Sequence, residues 1–191
     1  MKRSEINAAI RTAGEAFQEG GWTLPPKPKW DVTEFGLEDF CKNGLVLVNL
    51  AEEPEYCEKL MFALAGQVTP MHTHRKKKED IICRRGRLTL ELWADHPSQC
   101  QPGASVTLRR NGRDFTARNG EPFTLEAGER VTLVPGIYHA FWGASEPGCI
   151  IGEVSTANDD AHDNFFVDQR VGRFPAIEED EPALVRLVGE A

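Results

Sequence analysis

Two imidazoles two residues apart, followed five residues later by a carboxylate, are the groups in this chain best spaced for chemistry. They are His72, His74 and Glu79 in the segment Gly66-Gln-Val-Thr-Pro-Met-His-Thr-His-Arg-Lys-Lys-Lys-Glu79. A further imidazole, His139, follows in Pro135-Gly-Ile-Tyr-His139. Residues i and i+2 of a strand point to one face, so His72 and His74 can converge on one ion. Glu79 has the opposite parity and needs a turn or bulge before it can join them. Three His and one Glu suit an octahedral divalent ion such as Mn, Fe, Co, Ni or Zn, with positions left for a substrate.

The elements that must position these residues are short. From Leu45 onward the chain reads as brief apolar or alternating segments, among them 45–50, 59–65, 80–83, 87–93, 105–109, 122–125, 130–134 and 149–155. Asn111-Gly112 is a hairpin signal between 105–110 and 113–117. Such punctuation predicts an all-β sandwich or barrel. Ahead of it, Ile6, Ala9, Ile10, Ala13 and Phe17 have helical spacing over 4–18, with Ser4 placed to cap the first turn. The proline-rich run Leu24–Trp30 is an extended connector, and 36–41 is a candidate helical turn. Residues 1–44 thus form a helix and arm packing on a barrel of residues 45–191, with no second domain. The acidic stretch Glu178–Pro182 is expected to be exposed, with Leu184, Val185, Leu187 and Val188 packing a last strand or turn.

Composition narrows the function. At 191 residues the chain can bury a full core, and its net charge of −8 argues against nucleic-acid or anionic-membrane partners. No apolar run reaches the length of a membrane span, and the start lacks the apolar core of a signal peptide. Five cysteines without CxxC spacing fit reduced thiols in a cytoplasm.

Together the two histidine segments resemble the cupin superfamily. Gly66, His72, His74, Glu79 and Gly86 match its first motif in full. Gly128, Pro135-Gly136 and His139 approximate its second, with Phe141-Trp142-Gly143 where an asparagine is expected. More finely, the chain is similar to the D-lyxose isomerase family. That likeness rests on the opening Met1–Ser4, Thr69–His74, Lys77–Ile82, Gly136–Trp142, the run Gly152–Asp160 through Asp163–Phe166, and Glu179–Pro182. It implies a cupin-type β-barrel (jelly roll) and a manganese-dependent homodimer that interconverts D-lyxose and D-xylulose, often also D-mannose and D-fructose.

Aldose–ketose isomerisation moves a hydrogen between C1 and C2, which calls for a Lewis acid, a carboxylate base and a group serving the oxygens. His72, His74, Glu79 and His139 are the expected ligands of a divalent metal, Mn2+ first, with Co2+, Fe2+ or Zn2+ as alternatives. Lys77 shares the face of Glu79 if that strand begins early, and the resemblance favours it as a substrate contact. Glu153 alternates with Ile151 and Ser155 inside an apolar strand and is the first choice of base. Asp163 is the second, as alternative base or sugar-hydroxyl contact, with loop-bonding or His-orienting roles open to both carboxylates. Trp142, three residues past His139, is the leading aromatic for a sugar wall ahead of Trp22, Trp30 and Phe141, although core packing is the commoner use. Glu91 is expected to face outward, His96 to lie in a loop, and His162 to touch a polar pocket at most. Two rivals share the ligand set or the fold: a cupin dioxygenase or oxidase, and a non-catalytic sugar-binding cupin. The segment before Leu45 is a candidate dimer-interface or swapped element.

Overall fold

The computed structural model describes residues 1–157, 159, 162–172 and 176–190. Helix α1 spans Arg3–Glu19. Thirteen strands follow among the described residues: β1 Lys29–Thr33, β2 Leu45–Glu52, β3 Tyr56–Leu64, β4 Val68–Thr73, β5 Glu79–Arg85, β6 Arg87–Trp93, β7 Ser105–Arg110, β8 Arg113–Arg118, β9 Phe123–Glu126, β10 Arg130–Leu133, β11 Tyr138–Gly143, β12 Gly148–Thr156 and β13 Phe165–Phe166. They form an eight-stranded sheet, β1-β2-β3-β12-β5-β10-β7-β8, and a five-stranded sheet, β13-β4-β11-β6-β9. Every pairing within both sheets is antiparallel. This is the all-β, cupin-type architecture with an N-terminal helix.

Alternation along the larger sheet builds two cores. Met61, Ala63, Ile81, Cys83, Cys149 and Ile151 point between the sheets and meet Leu88, Leu90 and Leu92 of β6. Val46, Val48, Leu60, Phe62 and Ile150 point the other way, onto Ile6, Ile10, Ala13 and Phe17 of α1. Strands buried on both faces read as continuous apolar runs, as Leu60-Met-Phe-Ala-Leu does. Each large side chain the helix buries contributes roughly 1.5–3 kcal/mol, which holds α1 to the outer face of the larger sheet.

The hairpin at Asn111-Gly112 joins β7 to β8, with φ of 53° and 77° as a two-residue primed turn requires. Gly86, in the β5–β6 turn, has φ 79°, and a Cβ there would lie 2.8 Å from the Gly148 carbonyl oxygen. That is why this motif position takes glycine.

Several expectations change at the ends of the chain. The N-cap of α1 is Lys2 rather than Ser4. Ser4 lies inside the first turn, where its N–H and hydroxyl both donate to Asp180, at 2.9 and 2.6 Å. A carboxylate from the far end of the chain thus serves the helix N-terminus that a local serine was expected to cap. The acidic stretch is exposed as expected, and its carboxylates are nevertheless tied to the helix. Arg3, with no exposed side-chain surface, makes paired hydrogen bonds to Glu179 (2.9 and 2.7 Å) and to Glu190 (3.1 and 3.0 Å). Leu187 is buried against the helix layer, but 184–188 forms bends and turns, not a strand. Residues 36–41 make turns without a helix, and the proline-rich connector ends in β1.

Candidate active site

His72 lies in β4, and His74 one residue beyond its end; β11 brings His139 directly opposite His72 in the register. The ring centroids of His72 and His139 are 4.1 Å apart, and those of His72 and His74 5.1 Å. Each Nδ1 faces a backbone carbonyl: Pro70 at 2.8 Å, Asp163 at 2.7 Å and Ile137 at 3.3 Å. A carbonyl only accepts, so Nδ1 carries the proton in all three rings and Nε2 is left as a lone pair. Burial, reinforced by the neighbouring imidazoles, holds His72 well below its ordinary pKa, and burial likewise lowers His74.

Glu79 reaches the same point from the opposite sheet, at the first residue of β5. The turn at 75–78 supplies the change of direction its parity demanded. Its Oε1 stands 3.1 Å from His139 Nε2 and 3.4 Å from His74 Nε2. Burial would raise its pKa, but the Lys77 ammonium draws it down, and Glu79 stays well below the ordinary carboxylate range. The ligand nitrogens of the three histidines lie within 4.8 Å of one another. His74 Nε2, His139 Nε2 and Glu79 Oε1 are buried, and none has a hydrogen-bond partner. Lone pairs converging without a proton between them repel, and a cation at their centre removes the conflict. The donor set therefore fits a divalent metal site.

A chain of alternating charge continues from Glu79. Lys77 Nζ lies 3.1 Å from Glu79 Oε2 and 3.0 Å from Glu153 Oε1. Glu153 comes from β12, where Ile151, Glu153 and Ser155 share the inward face. Lys59 stands opposite Glu153 in the β3–β12 register, with Nζ 3.7 Å from Glu153 Oε1. Sequence reasoning missed Lys59. The available signal was its parity with Met61 and Ala63, but in a strand apolar on both faces that parity does not say which face holds the site. All of these groups line one cavity of about 910 Å³, walled further by Phe35, Met61, Phe141 and Phe166. Phe166 packs on His72, with ring centroids 5.3 Å apart.

Two residues expected at the sugar do not line this cavity. Trp142 alternates with the inward Phe141 and is not among the cavity's lining residues, because its strand parity turns it outward. The carboxylate of Asp163 accepts the backbone N–H groups of Arg75, Lys76 and Lys77 at 2.9–3.2 Å, while its carbonyl holds His74. Burial pushes the Asp163 pKa up, but these three N–H bonds together bring it below the ordinary value. Asp163 thus fixes the turn that carries Lys77 and orients a histidine, and it does not line the cavity. Of the other aromatics, Trp30 stacks on Phe17 and Trp22 covers Arg84. Glu91 faces outward and accepts from Trp93 Nε1, and His96 lies in a loop. The exposed His162 pairs with Asp159. Asn158 and Asp160, within the run that carried the family resemblance, lie outside the described residues.

The family model described as D-lyxose isomerase matches residues 27–191. The chain belongs to the D-lyxose isomerase family. It is 43% identical to a D-lyxose/D-mannose isomerase of Serratia proteamaculans, covering 95% of this chain and 94% of the relative. It is 35% identical to one of Escherichia coli O157:H7, covering 100% and 98%. Among solved structures, ligand-free Cellulomonas parahominis L-ribose isomerase superposes with a TM-score of 0.68 at 16% identity, over 94% of this chain and 98% of that one. At that identity the likeness is one of fold. No helix among the described residues is long and apolar enough to cross a membrane.

Proposed function

We propose that this member of the D-lyxose isomerase family interconverts D-lyxose and D-xylulose, and D-mannose and D-fructose. His72, His74, Glu79 and His139 hold a divalent ion, Mn2+ first. The observation that carries the reading is the run of buried groups from the three imidazoles through Glu79, Lys77 and Glu153 along one cavity wall. A bound ion supplies Lewis-acid polarisation of the carbonyl. Glu153, placed between two ammonium groups, takes the proton from C2 of the aldose. The C–H electron pair becomes the C1–C2 double bond of an enediol, and O1 takes its proton from the Lys77 ammonium, which O2 later restores. Lys77 serves the oxygens, passing a proton from O2 to O1. Glu153 then returns its proton to C1 as the C2 carbonyl forms, so the sugar gains and loses nothing. The apolar wall of Phe35, Phe141 and Phe166 keeps water from competing for the carbanionic carbon.

Family membership disfavours the dioxygenase and non-catalytic readings. A homodimer in a cytoplasmic setting completes the proposal: the larger sheet ends at β8 and the smaller at β9, edges a partner can cover. Incubating the metal-loaded protein with D-lyxose should yield D-xylulose. No conversion of D-lyxose, D-mannose or other aldoses with Mn2+, Co2+ or Fe2+ would remove the reading.

A further inference from the structure

Thr69 puts a hydroxyl without a partner on the wall of the sugar cavity. The residue is 4% exposed and lines the cavity, and its Oγ1 has no hydrogen-bond partner. Valine has the same shape without the hydroxyl, so folding alone favours valine at such a position. Thr89, on the outward face of the same sheet, shows the ordinary arrangement: its Oγ1 bonds Thr124 Oγ1 at 2.9 Å.

The register locates Thr69 relative to the chemistry. His72 pairs with His139, and Thr69 pairs with Phe141, two residues further along β11. Two strand residues span about 7 Å, so Thr69 stands one level beyond the imidazoles along the cavity. A sugar whose C1 and C2 lie beside the histidines and Glu153 would direct its remaining hydroxyls toward that level. The residue paired with Thr69 on its own sheet is the apolar Phe141, and the facing sheet adds Leu45 and Met61 to the cavity lining, with Thr33 beside Leu45 in the β1–β2 register. Thr69 is therefore the polar contact that level offers from β4 and β11.

We propose that Thr69 Oγ1 hydrogen-bonds a substrate hydroxyl remote from C1 and C2, making Thr69 a specificity-determining residue for the polyhydroxyl chain. This rests on the aldose reading above. A hydroxyl kept dry for such a partner discriminates against the analogue that lacks it.

The test compares Thr69→Val and Thr69→Ser with the wild type. For D-lyxose, KM should rise about three- to tenfold in Thr69→Val with kcat little changed, and Thr69→Ser should restore it. One of 3-, 4- or 5-deoxy-D-lyxose should give wild type and Thr69→Val the same KM. D-arabinitol, the alditol of D-lyxose, should lose affinity for Thr69→Val by a similar factor in calorimetry, with a melting temperature no lower than wild type. Equal KM and equal D-arabinitol affinity in wild type and Thr69→Val overturn the inference while leaving the isomerase reading intact. Thr69-dependent D-arabinitol binding without D-lyxose conversion does the reverse. Neither binding nor conversion in the wild type overturns both.

Discussion

Two buried clusters of charge in this molecule are built from similar residues and left in opposite states. At the termini, Arg3 meets Glu179 and Glu190 in paired hydrogen bonds at 2.7–3.1 Å. In the barrel, Glu79, Lys77 and Glu153 are as close, yet His74 Nε2, His139 Nε2 and Glu79 Oε1 have no hydrogen-bond partner. The first cluster has what its geometry asks for and ties the helix to the tail. The second holds acceptors facing acceptors, an arrangement that lowers the stability of the protein alone and is relieved by a cation. A satisfied buried network is a fastening, whereas unsatisfied acceptors facing a cavity are completed by a bound cation in the reading proposed above. The two clusters should therefore fail differently when altered.

The largest difference is expected from Glu153→Gln. The amide keeps the shape and an acceptor for Lys77 but cannot carry a proton. Turnover of D-lyxose should fall by roughly 10²- to 10⁴-fold while bound metal, measured by elemental analysis, stays at the wild-type level. Wild-type turnover in this variant would take Glu153 out of the proton transfer and leave it a structural partner of the two lysines.

Arg3→Met should show the opposite pattern. Removing one member of a buried ion pair costs about 3–5 kcal/mol, and the lower figure applies here because Glu179, half exposed, can recover its hydration. The denaturation midpoint should fall while kcat, assayed well below the melting temperature, barely moves. A collapse of kcat with unchanged stability would instead make the terminal clasp part of the site. That outcome has a structural route, since Glu190 both binds Arg3 and lines the cavity.

The same contrast explains what could be read from the sequence. The convergence of the three imidazoles was legible because two of them at i and i+2 carry their own geometry, and His139 follows a turn that fixes where its strand begins. The inward position of Glu153 was legible through period two, since a charge in an apolar strand has few reasons to be there, whereas Lys77 enters from the turn before β5 and has no such period. Lys59 was not, because β3 is buried on both faces and parity alone does not separate core from cavity. Trp142 was placed by proximity to His139, where one step of parity turns it outward. The terminal clasp was invisible because Arg3 and Glu179 lie 176 residues apart, and a run of acids reads as solvated until its partner is seen. Ser4 misled for the same reason: the group serving that helix end comes from the tail.

The smallest effect concerns pH, and it separates the two clusters by window. His72 and His74 have folded pKa values below the ordinary 6.5. In metal-free protein the unfolded chain takes up protons below that value while the native imidazoles stay neutral. Stability should therefore fall as pH drops from 7 toward 5, with a slope on the order of 1 kcal/mol per pH unit for each imidazole. Glu179 is lowered by its hydrogen bonds from Arg3, so its contribution is present above the ordinary 4.5 and is lost only as pH falls below it. Denaturant melts of the metal-free protein should then lose the slope between pH 7 and 5 in a His72→Ala, His74→Ala variant, and Arg3→Met should flatten the curve only in the more acid range. If both variants altered the same window, the two clusters would be one coupled network, and the distinction between fastening and site would fall with it.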